Sequence, residues 1–142
     1  GDIVDLVGKT GMARLRSRSR MVADVVEGLS GTRVSRLSTG QRRLPEIGVC
    51  LSTGRDVLML DEALSGLDYR SRQACIDAVL ALEGTTVLAT SHNLEDVLAL
   101  GGRILFLDAE ERALVEYPGE RTVEALRAFM TERMETRGDD AL

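Results

Sequence analysis

Tryptophan is absent from this chain, and aromatic residues make up only 3% of its 142 positions. The core must therefore be aliphatic, built from Leu, Val, Ala and Met. There are two cysteines, Cys50 and Cys75, and their spacing excludes a metal knuckle or a redox pair. Each falls inside an apolar helical pattern, which gives both a reduced packing role and points to a cytosolic setting. No apolar run approaches the roughly 20 residues that cross a bilayer. No charged-then-apolar leader opens the chain. The first residue is Gly1, not methionine, so a start further upstream is expected. Positive charge is also scarce. Eighteen basic residues stand against 23 acidic ones, a formal charge of −5, which argues against nucleic-acid binding through a basic domain field.

What remains is a balanced globular composition, 44% hydrophobic and 29% charged. The length suits one domain that buries about two-thirds of its unfolded surface. No internal repeat or low-complexity segment interrupts it. Residues 1–36 read as helical. Ile3, Val4, Leu6 and Val7 form one apolar stripe, and Val22, Val25, Val26 and Leu29 a second, at spacings of three and four. Between them the arginines of 14–20 recur at every second position and cannot share one helix face. That segment is read as a solvated loop or helix start, or as a contact for a partner protein. A loop follows and ends at Ser38, a good helix N-cap. The next helix carries Leu44, Ile47, Cys50 and Leu51. Pro45 removes the bond to the Gln41 carbonyl, so a kink or a weakened first turn is expected.

From residue 54 the pattern alternates. Strands are predicted at 56–60, 85–90 and 103–107, with helices at 70–83 and 94–100 between them. Residues 112–117 can return as a hairpin partner, 122–133 form a closing helix, and the tail from Thr136 is expected to fray. Uninterrupted aliphatic strands joined by helices imply a mostly parallel α/β sheet covered on both faces. In such a sheet ligands bind beyond the carboxyl ends of the strands. The first strand ends in Asp61-Glu62 and the second in Ser91-His92. A right-handed crossover would set both ends on one rim, where two carboxylates and an imidazole would converge.

The order of these segments carries more than any one of them. Leu37-Ser38-Thr39-Gly40-Gln41 with the helix after it, the acid-ended strand at 56–62, Ser65-Gly66-Leu67-Asp68 and His92 together resemble the second half of an ATP-binding-cassette (ABC) ATPase domain. They match its signature motif, Walker B strand, D-loop and H-switch. The likeness covers residues 20–117, and more loosely both ends. It implies a partial P-loop NTPase core with a remnant of the helical signature subdomain, divided as 1–52 and 53–142. It also implies ATP and Mg²⁺ as ligands, with roles by position. Ser38 and Gly40, flanked by Thr39 and Gln41, would meet the γ-phosphate of ATP held by an opposite subunit. Asp61 would orient Mg²⁺ through water. Glu62 would accept a proton from the attacking water or position it. His92 would hydrogen-bond the γ-phosphate, and Asp68 would carry information across the dimer interface.

Several family features are missing or altered. The phosphate loop Gly-x-x-x-x-Gly-Lys-Ser/Thr is not found. Gly8-Lys9-Thr10 fails because the residue five before Gly8 is Ile3, so it is read as a chance match in the helical part. The Q-loop glutamine is also missing, Ala63 stands where proline is usual, and Pro45-Glu46 interrupts the signature helix. The expected role is ATP binding and hydrolysis within a transporter ATPase, present as an incomplete domain. It would act in a head-to-tail dimer with a second ABC domain and on a transmembrane subunit, at the cytoplasmic face of the membrane, without nucleic acid. The alternatives are a non-catalytic half-site that lends a signature motif to a partner ATPase, and a soluble ABC ATPase of translation or DNA repair.

Without the phosphate-loop strand the sheet should have a gap or an unpaired edge. The purified chain is therefore expected to be poorly soluble or molten. A sharp, cooperative thermal transition of a monomer would contradict this.

Overall fold

The computed structural model describes residues 2–37, 39–108 and 111–135. The chain divides into two compact units, residues 1–91 and 92–142. Ser38, expected as a helix cap, and the tail from 136, expected to fray, lie outside the described residues.

The first unit begins with helix α1 (Ile3–Arg18), capped by the Asp2 carboxylate, which accepts from the Val4 N–H at 2.9 Å. Gly8 breaks it locally with φ 66° and ψ 170°, a conformation that side chains with a Cβ avoid. Gly8 thus marks a kink between two helical stretches, and the residues from Ile3 to Gly8 are helical rather than a strand. Helix α2 (Arg20–Gly28) starts after Ser19, whose extended backbone ends α1 and whose hydroxyl accepts from the Val22 N–H at 3.3 Å.

Of the two forms expected for the arginine segment, the helix start is found at Arg20 and the loop is not, since 14–18 continue α1. Arg14 and Arg18 are four apart and share a face. They donate to the carbonyls of Thr53, at 3.4 Å, and Leu51, groups left without intrahelical partners at the end of the helix Thr39–Ser52. Arg16 points elsewhere and pairs with Glu27.

A 3-10 turn (Val34–Arg36) leads to helix α3 (Thr39–Ser52). This helix runs unbroken through Pro45, whose fully buried ring offsets the lost hydrogen bond. Helices α1, α2 and α3 pack on one another, with Leu15, Val22, Ala23, Val26, Ile47 and Leu51 in the core. The change from helices to alternating elements falls inside this unit, after Ser52.

Strand β1 (Val57–Asp61), helix α4 (Tyr69–Leu80) and strand β2 (Thr86–Thr90) complete the unit. Helix α4 packs against α1, α2 and α3. The two strands are parallel, in register from Val57↔Thr86 to Asp61↔Thr90. Strand β1 alternates: Leu58 and Leu60 are buried, whereas Val57 and Met59 are 59% and 70% exposed. Leu88, opposite Met59, is 51% exposed. Cover on both faces, expected from the aliphatic runs, is therefore not found among the described residues, where the Leu58/Leu60 side is buried and the Val57/Met59 side is exposed.

In the second unit, α5 (Leu94–Leu100) precedes an antiparallel hairpin of β3 (Leu105–Asp108) and β4 (Ala113–Glu116), followed by α6 (Val123–Glu135). Among the described residues the parallel arrangement is confined to β1–β2. A short connection between β3 and β4 permits only antiparallel pairing, and the two pairs form separate sheets. The buried core among the described residues is aliphatic, as expected, and the aromatics of this unit form a separate half-buried cluster. Phe129 of α6 meets Phe106 and Tyr117 edge-on, at 6.2 and 5.1 Å between ring centroids. Asp108, 1% exposed, is held by the Glu111 N–H at 3.1 Å and by Arg133 at 3.5 Å. Cys75 is fully buried and its thiol is pushed up to about 12 by desolvation, consistent with an inert packing residue.

Gly48 sets the spacing of α2 and α3. A Cβ there would lie 2.8 Å from Val26 Cγ2 and 3.2 Å from Val22 Cγ1, both in fully buried side chains. Helix propensity alone favours Ala over Gly by about 1 kcal/mol, but overpacking a tight core costs about 1–3 kcal/mol, so the clash should win. Gly48→Ala is expected to lower the urea midpoint followed by far-ultraviolet circular dichroism. A raised midpoint would show that the helices separate freely.

Candidate functional site

Strand β1 ends at Asp61 because the next residue leaves the extended region. Glu62 has φ 47°, uncommon for a residue with a long side chain and a place where backbone strain is held by neighbours. The neighbour is Thr90, at the end of β2. Its hydroxyl donates to Asp61 Oδ1 at 2.6 Å and accepts from the Glu62 N–H at 3.1 Å. Its carbonyl accepts from the same N–H at 3.2 Å. One threonine therefore engages both acidic residues. Asp61 is exposed and Glu62 half-buried.

A tight turn follows, with the Ser65 N–H donating to the Glu62 carbonyl at 3.1 Å and Gly66 at φ 77°. It delivers Asp68 in an extended conformation as the N-cap of α4. The Ser71 N–H donates to Asp68 Oδ1 at 3.0 Å, and the Ser71 hydroxyl to Oδ2 at 2.7 Å. These bonds hold the Asp68 carboxyl below its ordinary 3.8. An aspartate directly before an amphipathic run is a cap signal legible in the sequence itself.

The remaining predicted residues lie elsewhere in the chain. Thr39, Gly40 and Gln41 form the first turn of α3, and their side chains lie outside what is described. Directly after them Arg42 donates to the carbonyls of Leu37 at 2.8 Å and Ser35 at 3.4 Å. It ties the approach loop to the helix it enters. His92 is exposed and opens the second unit, two residues after Thr90. Next to it Asn93 caps α5, accepting from Glu95 and Asp96 at 2.9 and 3.4 Å. The structure thus brings Asp61 and Glu62 together around Thr90, and leads by one turn to Asp68.

No group of three or more His, Cys, Asp or Glu is gathered for a metal ion among the described residues. A single exposed carboxylate nevertheless suits Mg²⁺, which keeps most of its waters and takes one or two carboxylates together with substrate phosphates. Among the described residues no helix is long and apolar enough to cross a membrane.

No protein-family model and no solved structure matches the chain. Several curated proteins do. A protein of Halobacterium salinarum named as an ABC transporter ATP-binding protein is 36% identical over 101 residues, 68% of this chain and 44% of the relative. The molybdenum import ATP-binding protein ModC of Mycobacterium tuberculosis is 34% identical over 109 residues, 72% of this chain and 30% of the relative. ATP-binding cassette sub-family A member 17 of Mus musculus is 44% identical over 72 residues, 50% of this chain and 4% of the relative. The matched stretch is less than half the length of each of these relatives.

The Asp68 cap has a definite pH signature. Its carboxyl is depressed in the folded chain, so its contribution is complete above the ordinary value and is lost as pH falls through the native one. Asp68→Asn is expected to keep the cap acceptor and to flatten the acid limb of a plot of helix content, followed by far-ultraviolet circular dichroism, against pH below the ordinary carboxyl value. An unchanged acid limb would show that another carboxylate carries it.

Proposed function

This chain belongs to the ABC ATPase family, and we propose that it supplies the acidic half of an ATP-hydrolysing site that energises transport. One observation carries the reading. The acidic pair Asp61-Glu62 stands at the carboxyl end of a parallel β1–α4–β2 unit, with both residues tied to Thr90. Sheet ends of this kind are where open α/β proteins place phosphate ligands.

In this reading the substrate is ATP with Mg²⁺. The metal supplies charge neutralisation at the phosphates, and Asp61 is the residue that would hold it, through a water ligand. Glu62 accepts a proton from water or fixes the position of that water. His92, next in the chain after Ser91, hydrogen-bonds the terminal phosphate. Ser38 and Gly40, with Thr39 and Gln41, present the start of α3 to a phosphate bound by a second ABC domain. The backbone N–H groups and positive dipole end of a 14-residue helix favour that contact. Asp68, fixed by Ser71, stands at the domain surface as the element that signals across a head-to-tail dimer. The division into a helical part, 1–52, and a core part, 53–142, follows the order of the elements. The partner of the helical part is a transmembrane transporter subunit, and the place of action is the cytoplasmic face of a membrane. The acidic net charge of −5 fits a role without nucleic acid. Catalysis here is positioning and electrostatics.

In an ATPase assembled from this chain and the polypeptide that supplies the phosphate-binding loop, Glu62→Gln is expected to lower kcat by about 100-fold or more, with ATP affinity within about twofold of the parent. Turnover that survives the substitution would remove Glu62 from its role and this reading with it.

A further inference from the structure

We propose that Thr90 is the positioning residue of this site, aligning Asp61 and Glu62 through one hydroxyl. The inference rests on the function proposed above and goes beyond it to a residue outside the motifs considered so far.

A threonine hydroxyl has one proton to give and lone pairs to accept with. Here both capacities are used on two consecutive acidic residues. The donated bond reaches Asp61 Oδ1 at 2.6 Å, the short distance of a bond to a charged acceptor. The accepted bond comes from the Glu62 N–H at 3.1 Å. The first holds the rotamer of the carboxylate. The second helps to keep Glu62 at φ 47°, which decides where its side chain leaves the strand end. The β-branch of threonine restricts χ1, so the hydroxyl is aimed before any ligand arrives. Asp61 and Thr90 are also register partners at the last position of the ladder, where the Thr90 hydroxyl adds to the main-chain bond from the Glu62 N–H to the Thr90 carbonyl. The three residues before it in β2, Val87, Leu88 and Ala89, carry no side-chain group capable of such bonds, and the strand's other hydroxyl, on Thr86, stands at the opposite end, paired with Val57.

The test compares Thr90→Val, which keeps shape and β-branching, with Thr90→Ser, which keeps the hydroxyl. In the assembled ATPase, Thr90→Val is expected to lower kcat about tenfold and to raise the Mg²⁺ concentration for half-maximal rate severalfold, with KM for ATP within about twofold. Thr90→Ser should restore kcat to within about threefold. In the 142-residue chain itself, Thr90→Val should speed amide exchange of Glu62 about fivefold and leave Leu58 and Leu60 unchanged. A merely structural threonine would move the thermal midpoint and all these amides together. The proposal is overturned if Thr90→Val keeps the parental kcat and Mg²⁺ requirement while Glu62→Gln still abolishes turnover. It is equally overturned if Thr90→Ser is as impaired as Thr90→Val, or if Glu62 exchange does not respond. Turnover that persists in Glu62→Gln would instead sink the underlying function, and this inference with it.

Discussion

The register that sets Asp61 opposite Thr90 is the constraint on which the chemistry of this chain depends. A parallel pair can slide, and a slip of one residue would turn every side chain of β1 to the other face. Burial of Leu58 and Leu60 prevents it. Two leucines on alternate positions hold the strand against the helical core, and this leaves Val57, Met59 and Asp61 on the opposite side. Two buried aliphatic side chains thus decide which way a carboxylate faces, and the threonine across the ladder completes its alignment. The order of cause runs from alternating hydrophobicity, through burial, to the aim of an acid.

The helices before the strand bring their own constraints. α2 and α3 approach closely enough that only a glycine fits at position 48, and the last carbonyls of α3 are met by arginines of α1. These contacts fix where α3 ends, hence where the chain sets out towards β1. They also explain why a proline can sit inside α3: tertiary packing, rather than local propensity, maintains the helix.

Much of this was readable in the sequence, and the failures have identifiable causes. The 94–100 helix was read at its observed bounds, since Asn93 before it and Gly101-Gly102 after it are strong punctuation. The strands were read to within two residues, because short aliphatic runs between turn residues allow little else. Of the arginine segment the helix start is found at Arg20, but the expectation that its arginines share no face fails, because every fourth residue returns to the same helix face. The uncovered side of β1–β2 was invisible to a rule that equates apolar runs with two buried faces. The aliphatic core that composition pointed to is found among the described residues, and the few aromatics gather half-buried in one place. Among the site residues, the acids and Asp68 stood out by motif. Thr90 did not, since the meaning of its hydroxyl depends on a strand pairing that joins positions nearly thirty residues apart.

The gathering of aromatics has an optical corollary. With no tryptophan, ultraviolet emission comes from two tyrosines. Tyr69, at the start of α4, is 82% exposed, so its phenol already experiences water in the native state. Tyr117 is wedged against Phe129. Changes in the tyrosine spectrum during denaturation therefore track the hairpin and its closing helix, while the helical unit comes apart almost unseen by that probe.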